Sequence, residues 1–596
     1  MELAATLPVP RSSMTRTLAI AALALFAWVW PRSTPEASAP LSPDRDLASF
    51  FPERCRIYLE GTGTTALFEQ GLEHPFVHAL LTSELGTALL SKAPRTPDQA
   101  LAVADAWLGQ PVLPLVADLT RGGIGLGFDP KTKTVVVVMR GSSADSVAGS
   151  LTAALDALER QFGWPGAFDA PAERERDAEL WSFGNDAILA RRDALLVLGN
   201  ERALVTDVLD LAAEPGARGL LDRPGFAGHR AGMPTDSTFW VWLDLAEIEP
   251  HADQGFRELR AGNRSPAVQG ILGTEIGALL AARALSASLS LHDHGLELGL
   301  RAFDAPCLAA LAPEARAGEV PAEVGGEDAA SALVYRDYAR FFTQRAEHFA
   351  PETLPGFAEA VTNGALFFEG RDLGEDVLPH LSPWIRLVSR ELAFDEGRRP
   401  EIPLPGLAAL AVLDDEREGE HWAAAFQTLI ALLNVDRAQK GGKSMQLRLA
   451  REGEVEISVA RFATPAPGEG VDLRYNLEPA LAVVGRHLVL GTHLSLVREL
   501  VRELEHARPR SPAGDRETLE VDAGSLHAAV ERNSAFLVAQ KMLEDGLERP
   551  AAEREIEGLR MALASFEGAR LEVGGSDRAA PEVRLELRLA NVESPR

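Results

Sequence analysis

A glycine-rich stretch, TRGGIGLGFDP at residues 120–130, is the first segment whose residue types suggest chemistry. Glycines that directly precede a helix can cradle phosphates with their backbone amides. Here Gly123, Gly125 and Gly127 instead recur every second residue between apolar side chains, which is the period of a strand. A turn, DPKTK, and a second apolar run, TVVVVMR, follow. The pattern therefore predicts a β-hairpin and not a dinucleotide-binding turn.

The three glycines leave one face of this predicted strand without side chains. Such a face permits the close approach of another element or of a ligand. We expect a helix to pack there and keep ligand contact as the alternative. Gly123, Gly125 and Gly127 are thus a candidate close-approach strand.

Three other segments resemble parts of site motifs without completing them. KGGKS at 440–444 ends like a phosphate-binding loop, but Arg437 stands where that loop needs its first glycine. LHDHG at 291–295 offers two histidines, yet it lies between strand-like runs and is typical of a hairpin turn. The acidic run at 414–422 suits a helix N-terminus and lacks the spacing of a calcium loop.

The common catalytic signatures are missing from the chain. It contains no Gly-x-Ser-x-Gly, no His-Glu-x-x-His and no Cys-x-x-Cys. We therefore predict no catalytic residue, no metal ligand and no cofactor. Because catalytic groups can also meet only in space, an enzymatic function stays open as the less favoured reading.

Charge excludes one class of partner. The chain has 59 basic and 87 acidic residues, a formal net charge of −28. Such a surface repels phosphate backbones, so we expect no nucleic-acid partner.

The N-terminus has the order of an export signal. Arg11 and Arg16 precede an unbroken apolar run at residues 18–30, and small residues follow. A helix of that length reaches about 20 Å, short of a bilayer core of about 30 Å. A cleaved signal fits Ala37 to Ala39, whereas Pro40 and the tryptophans at 28 and 30 suit a retained anchor. Both alternatives stay open, and the second gives the chain a membrane contact.

The only two cysteines are Cys55 and Cys307. An exported chain enters an oxidising compartment, where such a pair can form a disulfide. We keep that bond and a pair of buried free thiols as alternatives.

Two long segments resemble each other at an offset of 292 residues. AILARRDALLVLGNERALVTDVLDLA begins at Ala187, and PALAVVGRHLVLGTHLSLVRELVREL begins at Pro479. Each predicts a strand, a turn, a second strand, a glycine and a helix. Four further pairs of similar segments occur in the same order in the two halves. Among them are a strand-like segment that contains Asp244 or Asp522 and a closing hairpin. The order indicates an internal duplication.

The same comparison aligns LTRGGIGLGF at 119–128 with VTNGALFFEG at 361–370. It leaves residues 371–405 as an acidic insert without a counterpart. The second copy would then keep the entry glycine, with Gly364 in the place of Gly122, but would carry Phe367 and Glu369 in the places of Gly125 and Gly127. The glycines are therefore expected to serve the first half alone.

These observations predict an α+β fold of two tandem repeats, each a mostly antiparallel sheet with helices packed on one face. Residues 1–44 form the signal or anchor and a tether, and 45–305 form the first half. Residues 306–328, rich in Ala, Pro, Glu and Gly, read as a linker, and 329–596 form the second half.

Two motifs carry a resemblance to a known family. FFPERCRIYLEG, with Pro52, Tyr58 and Glu60, and RDALLVLGNERALVTDVLDLA resemble motifs of a family of exported, N-terminally anchored bacterial proteins with a domain of unknown function. The resemblance extends over most of residues 50–590. It implies duplicated α+β halves in the cell envelope and supplies no catalytic residue.

We therefore expect a non-enzymatic cell-envelope protein, whose partner is an unknown protein or a small apolar ligand. One alternative is a carrier of an apolar ligand in the periplasm or envelope, which needs a cavity between sheet and helices. A second alternative is a hydrolase with a site between the two halves.

Overall fold

The computed structural model describes residues 46–61, 97–162, 173–252, 282–303 and 318–590, together with a few single positions. Gaps within these ranges fall at 184–186, 215, 236, 293–294, 350, 395–398, 401, 443, 463–473, 512–515 and 575–581. Backbone contacts divide the described residues into two compact units, with the boundary after residue 303. Within the described ranges, no helix is both long and apolar enough to cross a membrane. The apolar run at 18–30 lies outside them.

The first unit is built on an antiparallel sheet whose spatial order is β4-β5-β6-β7-β3-β2-β1-β8-β9-β10. Its strands are β1 (Ile57–Gly61), β2 (Ile124–Asp129), β3 (Thr134–Arg140), β4 (Glu173–Glu175), β5 (Ala178–Phe183), β6 (Ala187–Arg192), β7 (Leu195–Gly199), β8 (Phe239–Leu243), β9 (Ala284–His292) and β10 (Gly295–Phe303). Its helices are α1 (Pro97–Leu108), α2 (Val112–Leu119), α3 (Ala144–Phe162), α4 (Arg202–Ala213), α5 (Phe226–Ala231) and α6 (Leu245–Ile248).

The second unit has an antiparallel sheet in the order β14-β15-β16-β17-β13-β12-β11-β18-β19-β20. Its strands are β11 (Ala330–Tyr335), β12 (Leu381–Arg390), β13 (Gly406–Leu413), β14 (Met445–Glu452), β15 (Val455–Phe462), β16 (Ala480–Val484), β17 (His487–Gly491), β18 (Glu517–Asp522), β19 (Phe566–Val573) and β20 (Glu582–Leu589). Its helices are α7 (Tyr338–Thr343), α8 (Arg345–His348), α9 (Leu354–Phe367), α10 (Glu418–Gln439), α11 (Leu494–Leu504), α12 (Ala523–Arg532), α13 (Ser534–Glu544) and α14 (Arg549–Ala564).

The α+β class is thus as predicted, and the ten strands of each unit follow the same order once ten is added to each strand number of the first unit. Local details also agree. A Cβ on Gly199 would lie 2.6 Å from Cγ2 of Val205, and one on Gly491 would lie 2.6 Å from Cγ2 of Val497. Asp244 directly follows β8 and Asp522 is the last residue of β18, and each caps the next helix by accepting a backbone N–H.

Helices cover both faces of each sheet, so the expectation of helices on one face is wrong. In the first unit, α3 packs against Trp181 and Leu189, whereas α4 packs against Val136 and Val138 on the other side. In the second unit α10 and α11 divide the two faces in the same way. The physical reason is that central strands such as TVVVVMR are apolar on both faces, and each face then needs cover.

The proposed alignment of the glycine stretch is wrong as well. Residues 361–367 lie in α9, and the strand that occupies the place of β2 in the second sheet is β12. The segment 371–405 is therefore not an insert, because it contains that strand.

Residues 318–328, which composition assigned to the linker, pack onto the second unit. Val320 is fully buried and forms a bridge with Arg510, and the backbone N–H of Ala322 donates to Nε2 of His487 at 3.2 Å. The apolar residues of GEVPAEV give this segment a face to bury, so it is part of the unit.

Candidate functional site

The face left open by the strand glycines is filled by the chain's own N-terminal segment. Leu47 to Phe50 form a short 3-10 helix that lies over β2. A Cβ built on Gly125 would lie 2.8 Å from Cζ of Phe51, and one on Gly127 would lie 2.7 Å from both Phe51 Cδ1 and Cys55 Sγ. Gly123 has φ +106 and lies against Leu47. The close approach is therefore made by protein, and the described residues leave no space there for a phosphate.

A partly buried ion-pair cluster, centred on the buried Glu60, holds that segment in place. Arg230 donates to both carboxylate oxygens of Glu60, at 2.5 and 3.0 Å, and to both of Asp46, at 3.0 and 2.9 Å. The Tyr58 hydroxyl donates to Glu60 at 2.7 Å. Burial, and next the Glu60 carboxylate, raise the pKa of Tyr58 well above its usual value. Tyr58 and Glu60, which carry the family resemblance, thus serve the core of the first unit.

The cysteine pairing is still a prediction. Cys55 is buried, and burial raises the pKa of its thiol to about 12. Cys307 lies outside the described residues.

The other sequence motifs have structural roles where they are described. The acidic run leads into α10, where Glu418 pairs with Arg371 at 2.8 Å. KGGKS follows the end of α10, and the N–H of Gly442 donates to the carbonyl of Arg437 before β14 begins. His292 and Gly295 are paired at the end of the β9–β10 hairpin, as the pattern predicted, and Asp293 and His294 lie outside the described residues. Among the described residues, no three metal-ligating side chains lie close enough to hold an ion.

One cluster in the second unit contains the residue types of a catalytic triad, namely Ser495, His493 and Glu478. His493 Nδ1 lies 2.8 Å from Ser495 Oγ, and its Nε2 lies 3.8 Å from Glu478 Oε2. The same Nδ1 accepts the backbone N–H of Ser495 and caps α11, and Arg461 pairs with Glu478 at 3.0 Å. The adjoining cavity of about 40 Å³ has room for only a few waters. The group is explained as a helix cap.

His229 is expected to make the core of the first unit sensitive to acid. It is fully buried, its Nδ1 lies 3.0 Å from Ser286 Oγ, and burial, and next the charge of Arg301, lower its pKa from 6.5 to about 4. The unfolded chain therefore binds a proton between these pH values that the folded chain does not bind. We expect the free energy of unfolding to fall as the pH falls through that window, by up to about 3 kcal/mol. Urea unfolding above and below the window measures this loss, and His229→Gln should remove that share of the pH dependence.

The feature best suited to function is an apolar groove in the second unit, which sequence reasoning missed. Its floor is a row of residues in direct register on six neighbouring strands: Leu519, Ala332, Leu387, Ala409, Leu490 and Leu481. Four leucines of the floor, among them Leu407 beside the row, are 39–55% exposed. A sheet face this apolar is normally covered.

One helix forms the main wall of the groove. Side chains of α10 recur along it at helical spacing, namely Trp422, Phe426, Leu429, Ile430, Leu433 and Arg437. Phe367 and Phe368 close a second side, where the rings of Phe368 and Trp422 lie 5.0 Å apart in a T-shaped contact. The space between floor and walls is about 900 Å³. That is within the range of small-molecule sites, which are mostly apolar with a few polar groups.

A signal for the groove was present in the sequence of α10. The stretch AAAFQTLIALLNV has apolar residues around most of the helix, and one sheet face can cover only one stripe. Leu429, Leu432, Leu433 and Val435 accordingly stay 42–55% exposed.

The second unit also has a polar cavity of similar volume, lined by charged side chains of β18, β19 and neighbouring segments. Several of its charges are paired with each other, for example Arg570 with Glu520 and Arg516 with Glu572. Because paired charges largely cancel, the cavity has only a weak electrostatic attraction for a charged ligand. It is therefore the weaker candidate site.

Comparisons with known proteins add no function. No protein-family model matches the chain, and none of the curated proteins matches it. Crystal form IV of a protein named TP0453 aligns with 44% of this chain and 81% of its own at 9% identity and a TM-score of 0.22. Crystal form III aligns with 48% and 91% at 11% identity and a TM-score of 0.20. Similarity at this level carries no functional assignment.

Proposed function

We propose that this chain is a non-enzymatic cell-envelope protein that binds an apolar ligand in the groove of its second unit. The groove carries the proposal: about 900 Å³ of space with an apolar floor and an apolar helical wall. Burying apolar ligand surface there yields roughly 25 cal/mol per Å², which is enough for specific binding of a ligand with a long hydrocarbon part.

A small ligand suits this site better than a catalytic reaction. Of the side chains that line the described groove, only Arg437 is charged, so no acid and base face each other across it. Ser495, His493 and Glu478 are explained by the cap of α11. Within the described part of this unit, no other group of side chains supports the hydrolase alternative.

Envelope location is part of the same proposal. It is supported by the basic and apolar order of residues 11–30 and by the resemblance to exported, N-terminally anchored bacterial proteins. A protein outside the cytoplasm that carries an apolar molecule through water needs a sheltered apolar surface, which is the chemistry of the groove.

We further propose that the two units arose by duplication. The proposal is supported by the strand order, which is the same in both units, and by the pairing register of the strands. Val241, Leu59, Leu126, Val137, Leu198 and Leu189 form a row in the first sheet that corresponds, strand by strand, to the floor of the groove. Both copies therefore have an apolar face in the same place, and the second unit has made it a binding surface.

The test uses N-phenylnaphthylamine, an uncharged fluorophore that brightens in apolar surroundings. The full chain should bind it, and Leu490→Glu or Leu429→Glu should weaken binding at least tenfold, because a carboxylate in the groove must lose water. Both leucines are more than 40% exposed, so the variants should fold.

The matched control is Leu543→Glu on α13, where the leucine is 86% exposed and does not line the groove. It should bind the probe like the original chain. Absence of binding by the original chain, or equal loss in all three variants, would overturn the proposal. A second copy of the chain as occupant would instead appear in sedimentation as a dimer that Leu490→Glu dissociates.

A further inference from the structure

Arg437 stands out among the residues of the groove. It lies in the last turn of α10, one turn after Leu433 on the same stripe, and it is the one charged side chain that lines the described groove. Its guanidinium carbon lies 4.7 Å from the centre of the Phe462 ring. This cation–π contact holds the charge beside an apolar space, and guanidinium tolerates it because its hydration is weak.

The charge of Arg437 has no carboxylate partner among the described residues, although the chain as a whole carries an excess of acids. By contrast, Arg371, near the other end of α10, is held by Glu418. A half-buried cation without an anion, at the end of an apolar groove, is the arrangement that recognises an anionic group.

The length of the groove agrees with a long ligand. From Trp422 to Arg437 the wall of α10 rises about 22 Å, the reach of a long extended alkyl chain. A hydrocarbon tail would lie along the leucines, and its headgroup would lie at Arg437.

We propose that the groove binds an amphiphile with a long alkyl chain and an anionic headgroup, a carboxylate or a phosphate monoester, and that Arg437 binds the headgroup. This rests on the apolar-ligand function proposed above. Arg437 is then the residue that determines headgroup specificity, while the apolar floor and wall determine that a long chain is bound at all.

The experiment is displacement of N-phenylnaphthylamine from the full chain by hexadecanoate, hexadecyl phosphate and uncharged hexadecanol. The original chain should bind at least one of the two anions ten- to a hundredfold tighter than the alcohol, the range of a hydrogen bond to a charged group. The anion that binds more tightly identifies the chemical class of the headgroup. Shortening the bound anion should weaken binding about fourfold for each methylene removed.

Arg437→Gln should abolish the preference for anions and leave hexadecanol binding unchanged, and Arg437→Lys should keep part of the preference. Unchanged binding of the alcohol also shows that the variant is folded. Arg554→Gln, an exposed arginine on α14 outside the groove, is the matched control and should bind all three ligands as the original chain does.

Equal affinity of the original chain for all three ligands would overturn the headgroup proposal while leaving the apolar groove intact. Equal weakening of all three ligands by Arg437→Gln would also overturn it, because Arg437 would then act on the structure of the wall. If the probe itself does not bind, the proposed function fails first, and the two failures are thus distinguishable.

Discussion

Arg230→Leu is expected to lower the free energy of unfolding of the first unit by about 3–5 kcal/mol, the usual loss when one partner of a buried ion pair is removed. Glu60 is 2% exposed, and Arg230 satisfies both of its carboxylate oxygens. Without Arg230, Glu60 is left as a buried carboxylate, and in the described part of the chain only the Tyr58 hydroxyl still donates a hydrogen bond to it. Asp46 also loses its partner, and the segment over β2 is released. Urea unfolding measures the loss.

Two companion variants separate this effect from a general loss of arginine. Arg202→Leu removes an exposed arginine that pairs with Glu173 and Glu175, and it should change stability little because such surface pairs are screened. Adding Glu60→Gln to Arg230→Leu should recover part of the loss, since a neutral amide is less costly to bury than a carboxylate. Equal losses in Arg230→Leu and Arg202→Leu would contradict the role assigned to the cluster.

Much of the architecture could be predicted from local patterns. The boundaries of the strand–turn–strand–glycine–helix segments that begin at 187 and 479 depend on neighbouring residues, and both segments occur as predicted. The closing hairpins followed from alternating residues with a turn between them. Such features are decided within about twenty residues, so one sequence is enough to find them.

The predictions that were wrong concern features that are decided by contacts between distant parts of the chain. VTNGALFFEG at 361–370 shares a threonine and a glycine with the glycine stretch but lies mostly in α9, because its helical packing is decided by residues far away. The true counterpart of β2 is β12, in which Arg386 and Val388 occupy the places of Gly125 and Gly127 in the strand register. Strand identity here follows from long-range pairing, which local similarity does not contain.

The groove escaped prediction for a related reason. Each strand shows that Leu387, Leu407 or Leu490 is apolar, but whether a helix covers that position is decided by tertiary packing. The two units differ on this point. In the second, α10 leaves part of the floor open, and this open part is the basis for the proposed ligand and its headgroup.

Gly127→Val should destabilise the first unit by about 2–3 kcal/mol, through overpacking of a filled core. Valine favours strands, and on an empty face the change would be neutral or stabilising. The face is not empty, because the new Cβ would lie 2.7 Å from atoms of Phe51 and Cys55, both fully buried. Gly125→Val should act in the same direction, since its Cβ would lie 2.8 Å from the Phe51 ring.

A double-mutant cycle with Phe51→Ala tests the cause. Removing the ring takes away the clashing carbon atoms at both glycines, so Gly127→Val should cost less in that background, with a coupling energy of roughly 1 kcal/mol or more. Cleavage by trypsin after Arg54 and Arg56 should be faster in Gly127→Val, because the segment can avoid the valine only by leaving β2. Additive losses without faster cleavage would mean that the segment does not need the glycine face. Packing of the N-terminal segment would then not explain why β2 has glycines at every second position, and contact with a ligand would again be the alternative explanation.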